Sequence, residues 1–335
     1  MINYIQKKKI NFNLVEKYLD NSKSINQYTN NGPVKRLLED KLSEMINLQA
    51  GKRVLCSSNG TTALHAFMFW YDSINNTTKR WASPAFTFPS CVVNRASTNI
   101  HDINSNTYTI DEYYSEKYDG IIITNLFGTV INYKKRGGLL MYDNASSFMS
   151  KDKFGKNICM MGDASFSSLH HTKTLGFGEG GFLVVDSYLY DELQRILGFG
   201  FNDQRDYKIL SSNFKMSDVS AAFILQHLES YNIDKHLEIQ NKFVKLFNDK
   251  QSYELFNYSQ GVFYGNLPVL FKKPANIKYF RDRGIEANKY YKPLIPFTNS
   301  VDLYERIINF PLHEDISDND INFIMECIES YDSCN

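Results

Sequence analysis

Apolar residues along this chain gather in short runs separated by polar, turn-prone stretches. Lys52 to Ser57, Trp81 to Pro84, Ser97 to Ile103, Gly120 to Thr124 and Gly138 to Tyr142 each read as a strand. GIIIT at 120–124 is a near-continuous apolar run, as expected of a strand covered on both faces. Two more strands, SFSSL and GFLVV, flank a glycine-rich stretch within residues 163–186. A helical period replaces the strand pattern at Pro33, where Leu37, Leu38, Leu42, Met45 and Leu48 fall on one face. Proline suits the first turn, because its missing N–H would have had no partner there. A second helix runs from Ala63 to Trp70. A third starts at Ser217 and Asp218, with Val219, Ala222, Phe223, Leu225 and Leu228 as its apolar face.

About seven strands joined by helical or irregular connections predict a large α/β domain. We place it at residues 1–230, with a smaller C-terminal domain at 231–335. Residues 1–32 read as polar and irregular, 232–250 as a charged helix leading into the smaller domain, and the chain from Ser317 as a last helix. The pattern is weakest over 251–283. No internal repeat or low-complexity segment stands out.

Composition narrows the function by exclusion. Among 335 residues, lysine plus arginine and aspartate plus glutamate number 37 each, so there is no basic footprint for nucleic acid. No apolar run approaches a membrane span. The opening MINYIQKKKINFN carries charge with no apolar segment behind it, unlike a signal peptide. The cysteines at 56, 91, 159, 327 and 334 show no C-x-x-C and no zinc spacing, so no metal site is expected. Reduced thiols in the cytoplasm are the simplest reading.

The chemistry concentrates in DASFSSLHHTKTLGFGEGGFLVVD, residues 163–186. Its one lysine, Lys173, lies between two apolar strands. A lone lysine is ordinarily a solvated loop residue. A buried one titrates easily and can form an imine with a carbonyl compound. GFGEGG at 176–181 fits G-x-G-x-x-G, but a strand follows it where a dinucleotide fingerprint needs a helix, so that reading fails. The turn Ser58-Asn59-Gly60-Thr61-Thr62, leading into a helix, is a natural anion seat or simply a strand–helix turn. Asp143 follows GLLMY and is either a ligand-facing carboxylate or a turn cap.

Together these stretches resemble the DegT/DnrJ/EryC1/StrS sugar aminotransferases, enzymes of fold type I that depend on pyridoxal 5'-phosphate (PLP). Ser168-Leu169-His170-His171-Thr172-Lys173, followed by Gly178-Glu179-Gly180-Gly181, matches the family's lysine segment. Asn59-Gly60-Thr61-Thr62-Ala63-Leu64 is similar to its phosphate turn, and Pro84-Ala85-Phe86-Thr87-Phe88 to the stretch whose aromatic stacks on the pyridine ring. Asp143-Asn144-Ala145 matches its Asp-x-Ala, but Ser146 stands where the family has glutamine or histidine. That departure leaves space for a water, another side chain or the substrate. Asn213-Phe214-Lys215-Met216-Ser217 resembles the segment whose asparagine reaches the partner subunit's cofactor phosphate. Gly284-Ile285, Tyr290-Tyr291-Lys292-Pro293-Leu294 and Phe310-Pro311-Leu312-His313 follow the family's C-terminal order.

The resemblance implies a seven-stranded, mostly parallel sheet and a homodimer with shared sites. It implies Lys173 as catalytic amine, Asp143 under the ring nitrogen, Phe88 on the ring face, and Gly60, Thr61, Ser168 and Asn213 on the phosphate. The implied reaction moves an amino group from glutamate to a nucleotide-linked keto sugar. Carbon 4 of a 4-keto-6-deoxyhexose is the expected acceptor, giving 4-amino-4,6-dideoxyglucose (viosamine). A carbon-3 aminotransferase and a non-catalytic PLP-binding regulator are the alternatives. A sugar dehydratase on the same scaffold would carry histidine in place of Lys173.

Overall fold

The computed structural model describes residues 1–93, 98–201, 210–247, 250 and 252–333. Lys52–Ser57 (β1), Trp81–Pro84 (β2), Thr98–His101 (β3), Gly120–Thr124 (β4), Leu139–Asp143 (β5), Ala164–Ser168 (β6) and Gly181–Asp186 (β7) form one seven-stranded sheet. Its order is β1-β7-β6-β5-β4-β2-β3. β2 to β6 run parallel, and β7 is antiparallel to both neighbours, β1 and β6. The fold is thus the α/β one that the strand pattern predicts, with the mostly parallel sheet that the resemblance implies. Ser97, expected to open the third strand, lies outside the described residues, as does Cys334.

The apolar run of β4 is buried throughout. Ile122 joins the cluster beneath Gly60–Asn75 (α3) and Tyr190–Leu197 (α4), while Ile121 and Ile123 pack on the other face with Ile110, Ile131 and Tyr142. Burying each such side chain contributes roughly 1.5–3 kcal/mol, which is why the strand needs no polar face. The C-terminal part holds a second, three-stranded antiparallel sheet of Tyr253–Leu255 (β8), Leu267–Phe271 (β9) and Ile307–Phe310 (β10), in the order β10-β9-β8.

Helices correct the sequence reading in three places. Residues 1–32 are not irregular: Phe12–Ile25 is a helix (α1), capped by Asn11, whose side chain accepts from the Leu14 N–H. Val15 and Ser22 are buried along it, and Tyr18 and Leu19 pack against the same core, so Leu14, Val15, Tyr18 and Leu19 form an apolar stripe at helical spacing. In Pro33–Met45 (α2), Leu37 is exposed and Lys35 and Glu39 are buried beside Val34, Leu38 and Leu42. The two charges face inward because they pair at 2.5 Å, while Glu39 also accepts from the Cys56 N–H at 2.7 Å and the Tyr190 hydroxyl at 2.8 Å. In Asp218–Ser230 (α5), Val219 is exposed and Ala221 and Ile224 take the core positions. The charged helix of the C-terminal part is Ile233–Phe247 (α6), and the last helix among the described residues is Asp318–Ser333.

The N-terminal residues pack against the far end of the chain. The Ile2 N–H donates to Gly284 O at 2.8 Å, the Glu286 N–H to Ile2 O at 3.0 Å, and the Tyr4 N–H to a Glu286 carboxylate oxygen at 2.9 Å.

Candidate active site

β5 is the middle strand of the large sheet, and Asp143 is its last residue. Ligands of open α/β sheets gather at such carboxyl ends. A cavity of about 670 Å³ opens there, lined by Gly60, Thr61, Phe88, Asp143, Ser168 and Lys173 among others. The residues singled out in the sequence therefore converge, with one exception. Asn213 is exposed and does not line this cavity, although Ser212 and Phe214 on either side of it do. Its side-chain oxygen accepts from the Lys215 ammonium at 2.6 Å. It does not cap α5, because Ser217 does so by accepting from the Ser220 N–H at 3.1 Å.

The anion seat is built by local rules. Asn59 caps α3 through a reciprocal pair: its side chain accepts from the Thr62 N–H at 2.9 Å, and the Thr62 hydroxyl accepts from the Asn59 N–H at 3.1 Å. The first-turn N–H groups of Gly60 and Thr61 have no helical acceptor behind them and are free for an anion. β7 passes directly beneath this turn. A Cβ on Gly181 would fall 2.3 Å from the Asn59 carbonyl carbon and the Gly60 nitrogen, so the last glycine of GEGG is a packing requirement of the seat.

Asp143 is 4% exposed, and burial pushes its carboxyl up to about 6, against the opposing pull of the Ala145 N–H and of Lys173. The Ala145 N–H donates to Asp143 Oδ1 at 2.8 Å. Lys173 sits on the connection between β6 and β7, and burial lowers its pKa, with Asp143 pulling the other way. A buried carboxylate and a half-buried amine, each biased by burial toward its neutral form, thus face one space. At the rim, His170 Nε2 lies 3.4 Å from a Glu179 carboxylate oxygen, a pair that the sequence reading passed over.

The gap left by Ser146 is filled by a side chain. The Tyr291 hydroxyl lies 2.9 Å from Ser146 Oγ, and the Tyr291 ring stacks on Phe127 with a centroid distance of 5.7 Å. A second cavity of about 160 Å³ shares Phe88, Thr172, Lys173 and Tyr291 with the first. Its far walls come from Tyr4, Gln6, Asn266 and His313. Tyr4 OH, Gln6 Oε1, Asn266 Oδ1 and His313 Nδ1 are all buried there without a partner among the described residues. His313 Nε2 lies 3.0 Å from Asn3 O and must be the donor, so in the neutral ring Nδ1 is an acceptor. His313 and Tyr291 lie in stretches quoted above for their resemblance, whereas no local signal marks Tyr4, Gln6 or Asn266.

The model of the DegT/DnrJ/EryC1/StrS aminotransferase family matches residues 10–329. The chain belongs to that family. As a DegT-family protein it is a PLP-dependent sugar aminotransferase, acting between a nucleotide sugar and an amino donor. It is 25% identical to the dTDP-4-amino-4,6-dideoxy-D-glucose transaminase of Shigella dysenteriae, over 90% of this chain and 91% of that protein. It is also 25% identical to the GDP-perosamine synthase of Escherichia coli O157:H7, over 88% of each. Among solved structures, the PLP form of Spr1654 from Streptococcus pneumoniae superposes with a TM-score of 0.83 at 18% identity, over 100% of this chain and 99% of that one. Among the described residues no helix is long and apolar enough to cross a membrane, and no cluster of His, Cys, Asp and Glu could hold a metal.

Proposed function

We propose that this DegT-family enzyme moves an amino group from glutamate to carbon 4 of a nucleotide-linked 4-keto-6-deoxyhexose, with Lys173 as its catalytic amine. The division of the chain near residue 230, into large and small domains, belongs to this proposal. The observation that carries it is the pairing of Asp143 and Lys173 in one cavity beside the α3 anion seat. The residues present fit PLP. The free first-turn N–H groups of Gly60 and Thr61, with Ser168 beside them, suit a phosphate. Asp143, pushed up to about 6 by burial, suits a protonated ring nitrogen.

When bound, the cofactor supplies an aldehyde that takes up the amino group and a ring that spreads the charge left when a C–H proton departs. The protein's residues supply the rest. Burial favours the neutral form of Lys173, which suits its Nζ to act as nucleophile and then carry that proton between carbon atoms. Asp143 keeps the ring cationic by offering a fixed charge with no reorganisation. Phe88, 54% exposed at the cavity rim, covers the ring face. The unpaired acceptors Gln6 Oε1, Asn266 Oδ1 and His313 Nδ1 suit the hydroxyl donors of a hexose. The naming of the Shigella relative for a 4-amino-4,6-dideoxy sugar supports carbon 4 over carbon 3.

Asn213 belongs to a second subunit's site in this reading. Its exposure next to cavity-lining residues supports that role, as do the exposed Phe199 and Phe201 nearby. The Phe199 N–H donates to Ser212 O at 3.1 Å, which ties that surface to the Asn213 segment. Two experiments test the proposal. The loaded protein is offered glutamate and a panel of UDP-, dTDP- and GDP-linked 4-keto and 3-keto sugars, and amination only at carbon 3 sinks the assignment. Lys173→Ala and Asn213→Asp, each inactive alone, are then mixed. One site of each mixed dimer carries both lesions and the other is intact, so activity should return. Mixtures no more active than their parents refute the shared site.

A further inference from the structure

We propose that Lys8 is a positioning residue for Lys173, clamping the loop that carries it by holding three of that loop's carbonyls at once. The Lys8 ammonium donates to His171 O at 2.8 Å, to Lys173 O at 2.6 Å and to Gly176 O. An ammonium has three donors and no acceptor, so these three carbonyls saturate it. Without a cation at their centre, three converging carbonyl dipoles would repel one another and the loop would turn its peptide groups elsewhere. The rest of the loop is fixed by neighbours. His227 Nε2 donates to Thr174 O at 2.9 Å, and the Thr174 hydroxyl to Gly265 O at 2.8 Å. At Gly176 a Cβ would fall 2.2 Å from His170 O, so the loop is wound too tightly to shift by small steps.

Lys8 is itself held from the far end of the chain. Residues 2–4 bond to Gly284 and Glu286 as described, and Gln6 Nε2 donates to a Glu314 carboxylate oxygen at 2.8 Å. The same arm supplies Tyr4 and Gln6 to the smaller cavity. One short segment therefore sets the distance between the amine and the wall we assign to the sugar. Lys8 is half-buried, with its ammonium turned onto the loop carbonyls, unlike its exposed neighbours Lys7 and Lys9. This inference rests on Lys173 as the amine that bears the cofactor. That reading is tested separately, by borohydride capture of the pyridoxyl group on Lys173 in the parent protein.

The clamp is tested by hydrogen exchange on the cofactor-free protein. Lys8→Met should speed exchange of the amides in 169–178 by about tenfold or more. Lys8→Arg, which keeps charge and donors, should return part of that protection, and Lys7→Met should leave it unchanged. In the loaded enzyme, Lys8→Met should lower kcat about tenfold with little change in the KM for glutamate. An unchanged rate at 169–178, or a rise spread equally over 253–271, overturns the proposal. If Lys8→Met does not fold, pulse acylation of the parent decides. Lys8 should label about tenfold more slowly than Lys7 and Lys9, and equal rates overturn the clamp.

Discussion

The larger cavity takes most of its walls from one sheet: the start of α3, the end of β5 and the connection from β6 to β7, with Ser212, Phe214 and Tyr291 added from outside it. The smaller one draws its far wall largely from the two chain ends, with Asn266 beside them. Its wall pairs Asn3 with His313 and Gln6 with Glu314, separations of 310 and 308 residues. The sheet-borne wall carries groups that any transamination needs, placed by strand ends and one helix cap. The second wall can change its side chains without disturbing the sheet, which suits a surface that must tell one sugar from another. The two walls should therefore respond differently to substitution.

Lys173 is shared by both cavities, and its loss should be the most severe. Lys173→Ala should be colourless near neutral pH and show no detectable turnover, followed by absorbance and by product formation. Turnover at a sizeable fraction of the parent's would mean another group carries the proton. Asp143→Asn should bind the cofactor yet fall at least about a hundredfold in kcat, since removing one preorganised charge commonly costs ~3 kcal/mol or more. A few-fold change would show that the ring is protonated by something else. On the smaller wall, Asn266→Ala or His313→Phe should raise the KM for the sugar nucleotide about tenfold, while the half-reaction with glutamate keeps its rate. Equal damage to both half-reactions would erase the distinction between the walls.

The smallest signal is thermal and needs no cofactor. The carboxyl of Asp143 titrates near 3.8 in the unfolded chain and near 6 when folded. The folded state then holds the extra proton between those values, so stability falls as pH rises through them and stays lower above. The shift corresponds to about 3 kcal/mol, only a few degrees of Tm in a chain this long. Cofactor-free Asp143→Asn should therefore melt above the parent at pH 8 and level with it at pH 4. A parent that is the more stable of the two at pH 8 would show that the carboxylate already has a cation.

The same division explains what was legible in the sequence. The seven strands and the residues of the larger cavity lie in short motifs where neighbours in sequence are neighbours in space. α1 escaped although Leu14, Val15, Tyr18 and Leu19 recur at helical spacing, because Glu16, Lys17, Asp20 and Asn21 between them make the stretch read as polar. β9 escaped because Pro268 sits in the middle strand of its sheet, where proline is ordinarily excluded. Lys8 lies in a run of three lysines, and nothing local separates it from the two in solvent. The partner of Ser146 could not be read from its own segment, because Tyr291 is 145 residues away.

The buried Lys35–Glu39 pair has a consequence for how the molecule keeps to itself. β1 is one edge of the large sheet, and edge N–H groups invite strands from other molecules. Glu39 occupies one such donor, at Cys56, so a helix side chain blunts the edge where a strand could dock. Removing that carboxylate would bare the donor and leave the buried Lys35 ammonium without its counter-charge, held only by neutral acceptors such as Asn31 and Gln194. Glu39→Ala is accordingly a lesion of shelf life: lining neither cavity, it should show first as sticky, filament-prone protein on storage.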